Sequence, residues 1–111
     1  MIKIAITDDH PLLLEGLKNI LAKEDFLEIV GGYADAQSML ANLALHPVDV
    51  LLLDINLPDA NSIELIKPLR KSYPNMHIIM LSVHNEYAVV NSALHEGASG
   101  YIQKYASADE I

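Results

Sequence analysis

The chain has 111 residues, no cysteine, 51% hydrophobic residues and a formal net charge of −8. Those totals describe one globular domain with a core of its own, and they exclude a disulfide framework, thiol chemistry and a disordered chain. Fifteen acidic against seven basic residues argue against direct contact with nucleic acid or an anionic membrane, and no apolar run approaches the roughly 18 residues of a membrane span.

The opening "MIKIAIT" is too short for a signal peptide and lacks a cleavage pattern, so a cytoplasmic location is expected. A strand is predicted at "IKIAIT" (2–7). A helix follows over "PLLLEGLKNILAKE" (11–24), where Leu13, Leu17, Ile20 and Leu21 recur at helical spacing and Pro11 suits the first turn. "LEIVGGY" (27–33) is the second strand. "DAQSMLANLALH" (35–46) is the second helix, with Asp35 as its cap and Pro47 as its stop. "VDVLLLD" (48–54) is nearly all apolar, as a strand covered on both faces must be. The third helix is "SIELIKPLRKSY" (62–73), with a kink or a late start expected at Pro68. "HIIMLS" (77–82) is the fourth strand. "NEYAVVNSALHEG" (85–97) is the fourth helix, with Asn85 at its start and Gly97 at its end. "SGYIQK" (99–104) is the fifth strand.

This βαβαβαβαβ order with short connections implies right-handed crossovers and a doubly wound parallel sheet with helices on both faces. Such sheets bind ligands at the carboxyl ends of their strands. The closing "YASADEI" reads as the start of a further helix. The fifth helix is therefore expected to be missing or truncated, as in a piece of a longer protein. Apolar surface beside the first helix would then be bare unless domain swapping or a dimer contact covers it.

The strand ends hold the chemistry. Asp8 and Asp9 follow the first strand, Asp54 ends the third, Ser82 the fourth and Lys104 the fifth. Neighbouring strands would bring the three carboxylates together, and three such groups disfavour full ionisation unless a cation joins them. Hard oxygen donors with room for water suit Mg²⁺, which handles phosphate chemistry. A carboxylate beside it can act as nucleophile towards a phosphoryl group and form an aspartyl-phosphate. Lys104 would balance the transferred oxygens, and Ser82 would donate a hydrogen bond to one of them.

"DDHPLLLEGL", "LLLDINLPD", "MLSVHNE" and "EGASGYIQK" occur in that order. With them the chain resembles the receiver domain of bacterial two-component response regulators, and within these the subfamily with a helix-turn-helix, LuxR-type output domain. The resemblance covers all 111 residues. It implies a flavodoxin-like, five-stranded parallel sheet in the order 2-1-3-4-5. By position it implies Asp54 as phospho-acceptor, Asp9 as direct metal ligand and Asp8 as the acid that acts through water. It also implies the backbone carbonyl of Asn56 as a metal ligand, with the Asn56 side chain and His84 tuning phosphoryl lifetime. Ser82 and Tyr101 become the switch pair and Lys104 the phosphate-binding lysine. A sensor histidine kinase is the implied phosphoryl donor, with self-phosphorylation and self-dephosphorylation in place of conventional turnover. A homodimer and an output domain outside these residues regulating transcription are implied as well.

Two positions depart from the family pattern. Ser62 stands where Gly is usual, so the loop after the acceptor is expected to differ. Tyr105 stands where Pro usually follows the lysine. Blander readings exist for several residues: Asp8 and Asp9 as turn formers, Ser82 as a strand-end hydroxyl, Tyr101 as a packed aromatic, Lys104 as a solvated charge. The histidines His10, His46, His77, His84 and His95 lack metal-ligand spacing and read as surface or packing residues, with His10 a loop residue beside the acids. Among rival functions, a phosphatase would need a second acid where Asn56 stands. A nucleotide or flavin site would need a Gly-rich loop where "TDDHP" stands. The remaining alternative is a phosphorylation-independent binding or dimerisation module.

Overall fold

The computed structural model describes residues 1–55, 57–82 and 87–103. Its elements in chain order are β1 (Ile2–Thr7), α1 (Pro11–Ala22), β2 (Leu27–Tyr33), α2 (Ala36–Leu45), β3 (Val50–Asp54), α3 (Ser62–Ser72), β4 (His77–Ser82), α4 (Tyr87–Glu96) and β5 (Gly100–Gln103). All neighbouring strands pair in parallel, in the order β2-β1-β3-β4-β5. This is the expected doubly wound order. The expected fifth helix and the Asn85 start of α4 lie outside the described residues.

Side-chain alternation along the strands divides the interior into two cores. Ala5, Leu51, Leu53, Ile78 and Met80 face one side and pack with Met39 and Leu43 of α2, Ile66 and Leu69 of α3, and Ala93 of α4. The intervening Ile4, Ile6, Leu52 and Leu81 face the other side and pack with Leu17 and Leu21 of α1. The continuous apolar run of β3 is thus explained, since each of its faces meets a separate core.

The helix ends follow local chemistry. Pro11 opens α1, and the Asp35 carboxylate accepts the Ser38 N–H at 2.8 Å to cap α2. Gly97 has φ +120°, the Gly97 N–H donates to the Leu94 carbonyl and the Ala98 N–H to that of Ala93. That pair of bonds closes α4 in a Schellman turn, whose left-handed residue is why a glycine stands there.

The late start expected for α3 does not occur: the helix begins at Ser62 and continues through Pro68 to Ser72. Pro68 and Glu64 both lie on the exposed face, so the Glu64 carbonyl, which loses its usual N–H partner at Pro68, can turn to water. Other boundaries move by a few residues. α1 stops at Ala22, and β3 begins at Val50, where pairing with β1 starts.

Candidate functional site

The site forms where β1 and β3 end side by side. Pairing of β1 with β2 shifts register between Ile4 and Ala5, because Val30 is an extra residue opposite them. The shift aligns Thr7 with Tyr33, and the Asp8 N–H then donates to the Tyr33 carbonyl at 2.9 Å. Asp8 is thereby fixed just past the strand, with none of its surface exposed. Gly31 allows the return of Tyr33 over β2, since a Cβ at residue 31 would lie 2.7 Å from the Tyr33 ring.

On the neighbouring strand, Thr7 aligns with Leu53, so Asp54 comes level with Asp8. Asp54 is 2% exposed. Its backbone is anchored twice. The Ile55 N–H donates to the Leu81 carbonyl at 3.1 Å, and the buried Ser62 hydroxyl donates to the Asp54 carbonyl. Asp9 stands at the mouth, with its side chain 38% exposed.

Ligand atoms of Asp8, Asp9, His10 and Asp54 all lie within 4.8 Å of one another. The His10 N–H donates to Asp8 Oδ1 at 2.8 Å, and His10 Nδ1 lies 2.8 Å from the same oxygen and 3.2 Å from Asp9 Oδ1. Two buried carboxylates and a third at the rim would repel one another, and a small hard cation relieves that repulsion. The donor set therefore fits a divalent ion such as Mg²⁺, with Asp8, Asp9 and Asp54 as the oxygen donors.

The predicted residues divide as follows. Asp8, Asp9 and Asp54 meet. Ser82 is the last residue of β4, and its backbone aligns with Gln103, next to Lys104 in sequence. Tyr101 aligns with Met80 in β5 and is 42% exposed, so it is not a core aromatic. Asn56, His84, Lys104 and Tyr105 lie outside the described residues.

Three residues matter more than their sequence suggested. His10, read as a loop histidine, belongs to the acid cluster; its adjacency to Asp8 and Asp9 was the available signal. Ser62, read as a departure from a glycine, ties α3 to the backbone carbonyl of Asp54. Asp59 reaches across to α2, where its carboxylate accepts the N–H of Ala36 at 2.8 Å and of Gln37 at 3.0 Å. Those two donors hold the Asp59 carboxyl below its ordinary value of 3.8. Together with Asp35, Asp59 satisfies the first three N–H groups of α2. The loop after Asp54 is thus fastened at both ends, by Ser62 to β3 and by Asp59 to α2.

Residues 4–111 match the family model described as the response regulator receiver domain. The chain is 38% identical over 110 residues to the transcriptional regulatory protein DegU of Brevibacillus brevis, covering 99% of this chain and 47% of that protein. It thus spans about half the length of the curated relatives it matches. Among solved structures, it superposes on the signal receiver domain of NarL from Mycobacterium tuberculosis with a TM-score of 0.91 at 29% identity, covering 98% of this chain and 88% of that one. A LuxR-family two-component response regulator from Aurantimonas sp. SI85-9A1 superposes with a TM-score of 0.90 at 26% identity, covering 99% and 79% of the two chains. No helix among the described residues is long and apolar enough to cross a membrane. With its strand order, its acid cluster and these matches, the chain belongs to the response regulator receiver domain family, among relatives of the LuxR/NarL class.

Proposed function

We propose that this domain is a phosphorylation-activated switch in which Asp54 accepts a phosphoryl group from a sensor histidine kinase. The observation that carries the reading is the convergence of Asp8, Asp9 and Asp54 within 4.8 Å at the carboxyl ends of β1 and β3. An Asp54 carboxylate oxygen attacks phosphorus, the P–O bond forms as the donor's P–N bond breaks, and the leaving imidazole nitrogen takes a proton from water. Mg²⁺, when bound, offsets negative charge on the phosphoryl oxygens and the carboxylates. Asp9, Asp54 and the Asn56 backbone carbonyl would hold the ion, with Asp8 acting through water.

The fastened loop keeps Asp54 from retreating as charge builds on it. Lys104 pairs with the new dianion, and Ser82 closes on it. Tyr101, already at the surface of β5, follows Ser82 inward. The altered face of α4 and β5 then changes dimer or output contacts, a two-state element biased by a local charge change. His84 and the Asn56 side chain set how long the phosphoryl group lasts. In the whole protein, the reading gives control of transcription through an output domain, in keeping with the transcriptional regulatory relatives.

Incubation with phosphoramidate, whose P–N bond mimics phosphohistidine, followed by borohydride reduction, tests the assignment. Peptide mapping should find homoserine at residue 54 and nowhere else. Reduction at Asp8 or Asp9, or at none of the three, would refute it.

A further inference from the structure

We infer that the outer face of α2 is a contact surface for a second copy of this chain, with two α2 helices packing antiparallel across a two-fold axis near Ala41. This surface is separate from the α4–β5 face of the proposed switch and does not depend on phosphoryl transfer. Residues 36–48 contain no Asp, Glu, Lys or Arg, in a chain where those four types make up 20% of residues. The surface helices α1 and α3, by contrast, expose Glu15, Glu64, Lys67 and Lys71. Ala36, Met39 and Leu43 turn α2 towards the core. That leaves Gln37, Ala41 and Leu45 in one outward ridge at i, i+4 and i+8, with Leu40 and Ala44 beside it. Leu45 is 73% exposed and Leu40 40%, so the face is apolar as well as uncharged.

Charge selects the occupant. A net charge of −8 makes two copies repel over most approaches, whereas on this face identical surfaces meet with no like charges opposed. The ends of the face complement one another. The Asp35 and Asp59 carboxylates lie at the N-terminal end of α2, and the exposed His46 lies at its C-terminal end. An antiparallel pair sets His46 of each copy against the acids of the other and runs the two helix dipoles in opposite directions. Ala41 at the crossing lets the helix axes approach to about 8 Å, so that Leu40 and Leu45 of each copy cover the other's helix. A helix of 10 residues is only about 15 Å long. The interface is therefore smaller than that of a permanent dimer, and the association is weak and reversible.

Sedimentation velocity of the whole chain at rising concentration tests this, with melting temperature as the check on folding. The unsubstituted chain should pass from monomer to dimer below about 1 mM. Ala41→Glu puts two carboxylates together at the axis, on an exposed helical position that accepts glutamate, and should weaken the dimer at least about tenfold. Phe26→Ser, on the separate apolar groove lined by Ile4, Leu52 and Ile79, should change it by less than about twofold. Because the chain has no cysteine, Ala41→Cys supplies a single thiol. Oxidation should link that variant into a dimer at least about tenfold faster than Lys71→Cys on α3, since only a residue near the axis brings two Cα atoms within disulfide reach. A chain monomeric up to about 1 mM, a dimer indifferent to Ala41→Glu, or equal cross-linking rates would overturn the inference. So would a dimer lost with Phe26→Ser, which would assign the self-association to the groove instead.

Discussion

Ser62 and Asp59 show how the buried Asp54 is held in place by groups that do not bond to its carboxylate. The Ser62 hydroxyl is buried and donates to the Asp54 backbone carbonyl. Ser62→Ala should therefore lower stability by about 1–2 kcal/mol, since a buried acceptor loses a donor that water cannot replace; thermal or urea unfolding measures it. Asp59 acts at the surface, and its effect should depend on pH. Its folded pKa lies below the ordinary value of 3.8, so its contribution to stability is complete above that value and is lost as pH falls through the lower folded value. The gap in melting temperature between the unsubstituted chain and Asp59→Asn should be widest near neutrality and close below about pH 4. A gap that stayed constant into acid would show that the carboxylate's charge is irrelevant. At this scale the three acids were legible because each sits beside a strand end, where parallel sheets gather ligands. Ser62, Asp59 and His10 were not, because their partners lie on other elements or depend on the backbone turn after β1.

The elements themselves were written plainly in the chain, and α3 is the informative exception. Proline in a helix normally marks a break, but here it falls on the exposed face, where the lost bond costs least. Burial on the opposite face, through Ile66 and Leu69, outweighs the local penalty. Pro68→Ala should accordingly stabilise the domain by about 1–2 kcal/mol, the helix-interior penalty less the rigidity proline lends the unfolded chain. Unfolding in denaturant reads this directly, and a destabilised variant would mean that the proline shapes α3 in a way the packing does not reveal. Strands were easier to read. β1, β2 and β4 appear over the residues expected of them, because β-branched runs bounded by turn formers leave few alternatives.

At the scale of the molecule, one sheet separates two cores and delivers two buried acids and one rim acid to a single edge. The strand order was legible from the alternation of elements and the resemblance together. The two-core division follows from the period of two within each strand. What the sequence left open was how closely the carboxylates approach, since that depends on the β1–β2 register shift and the anchoring of the loop after Asp54. The overall acidity makes the convergence more telling, because a chain of net charge −8 gains nothing electrostatically from adding acids to a buried edge. Their convergence fits a divalent cation, which is the basis of the phosphoryl chemistry proposed above. The most direct measurement is intact mass after incubation with acetyl phosphate, with Mg²⁺, with chelator, and with Asp54→Asn. A single phosphoryl adduct that disappears with chelator and with the substitution is the predicted result. An adduct indifferent to both, or none from the folded, Mg²⁺-loaded chain, would contradict the account.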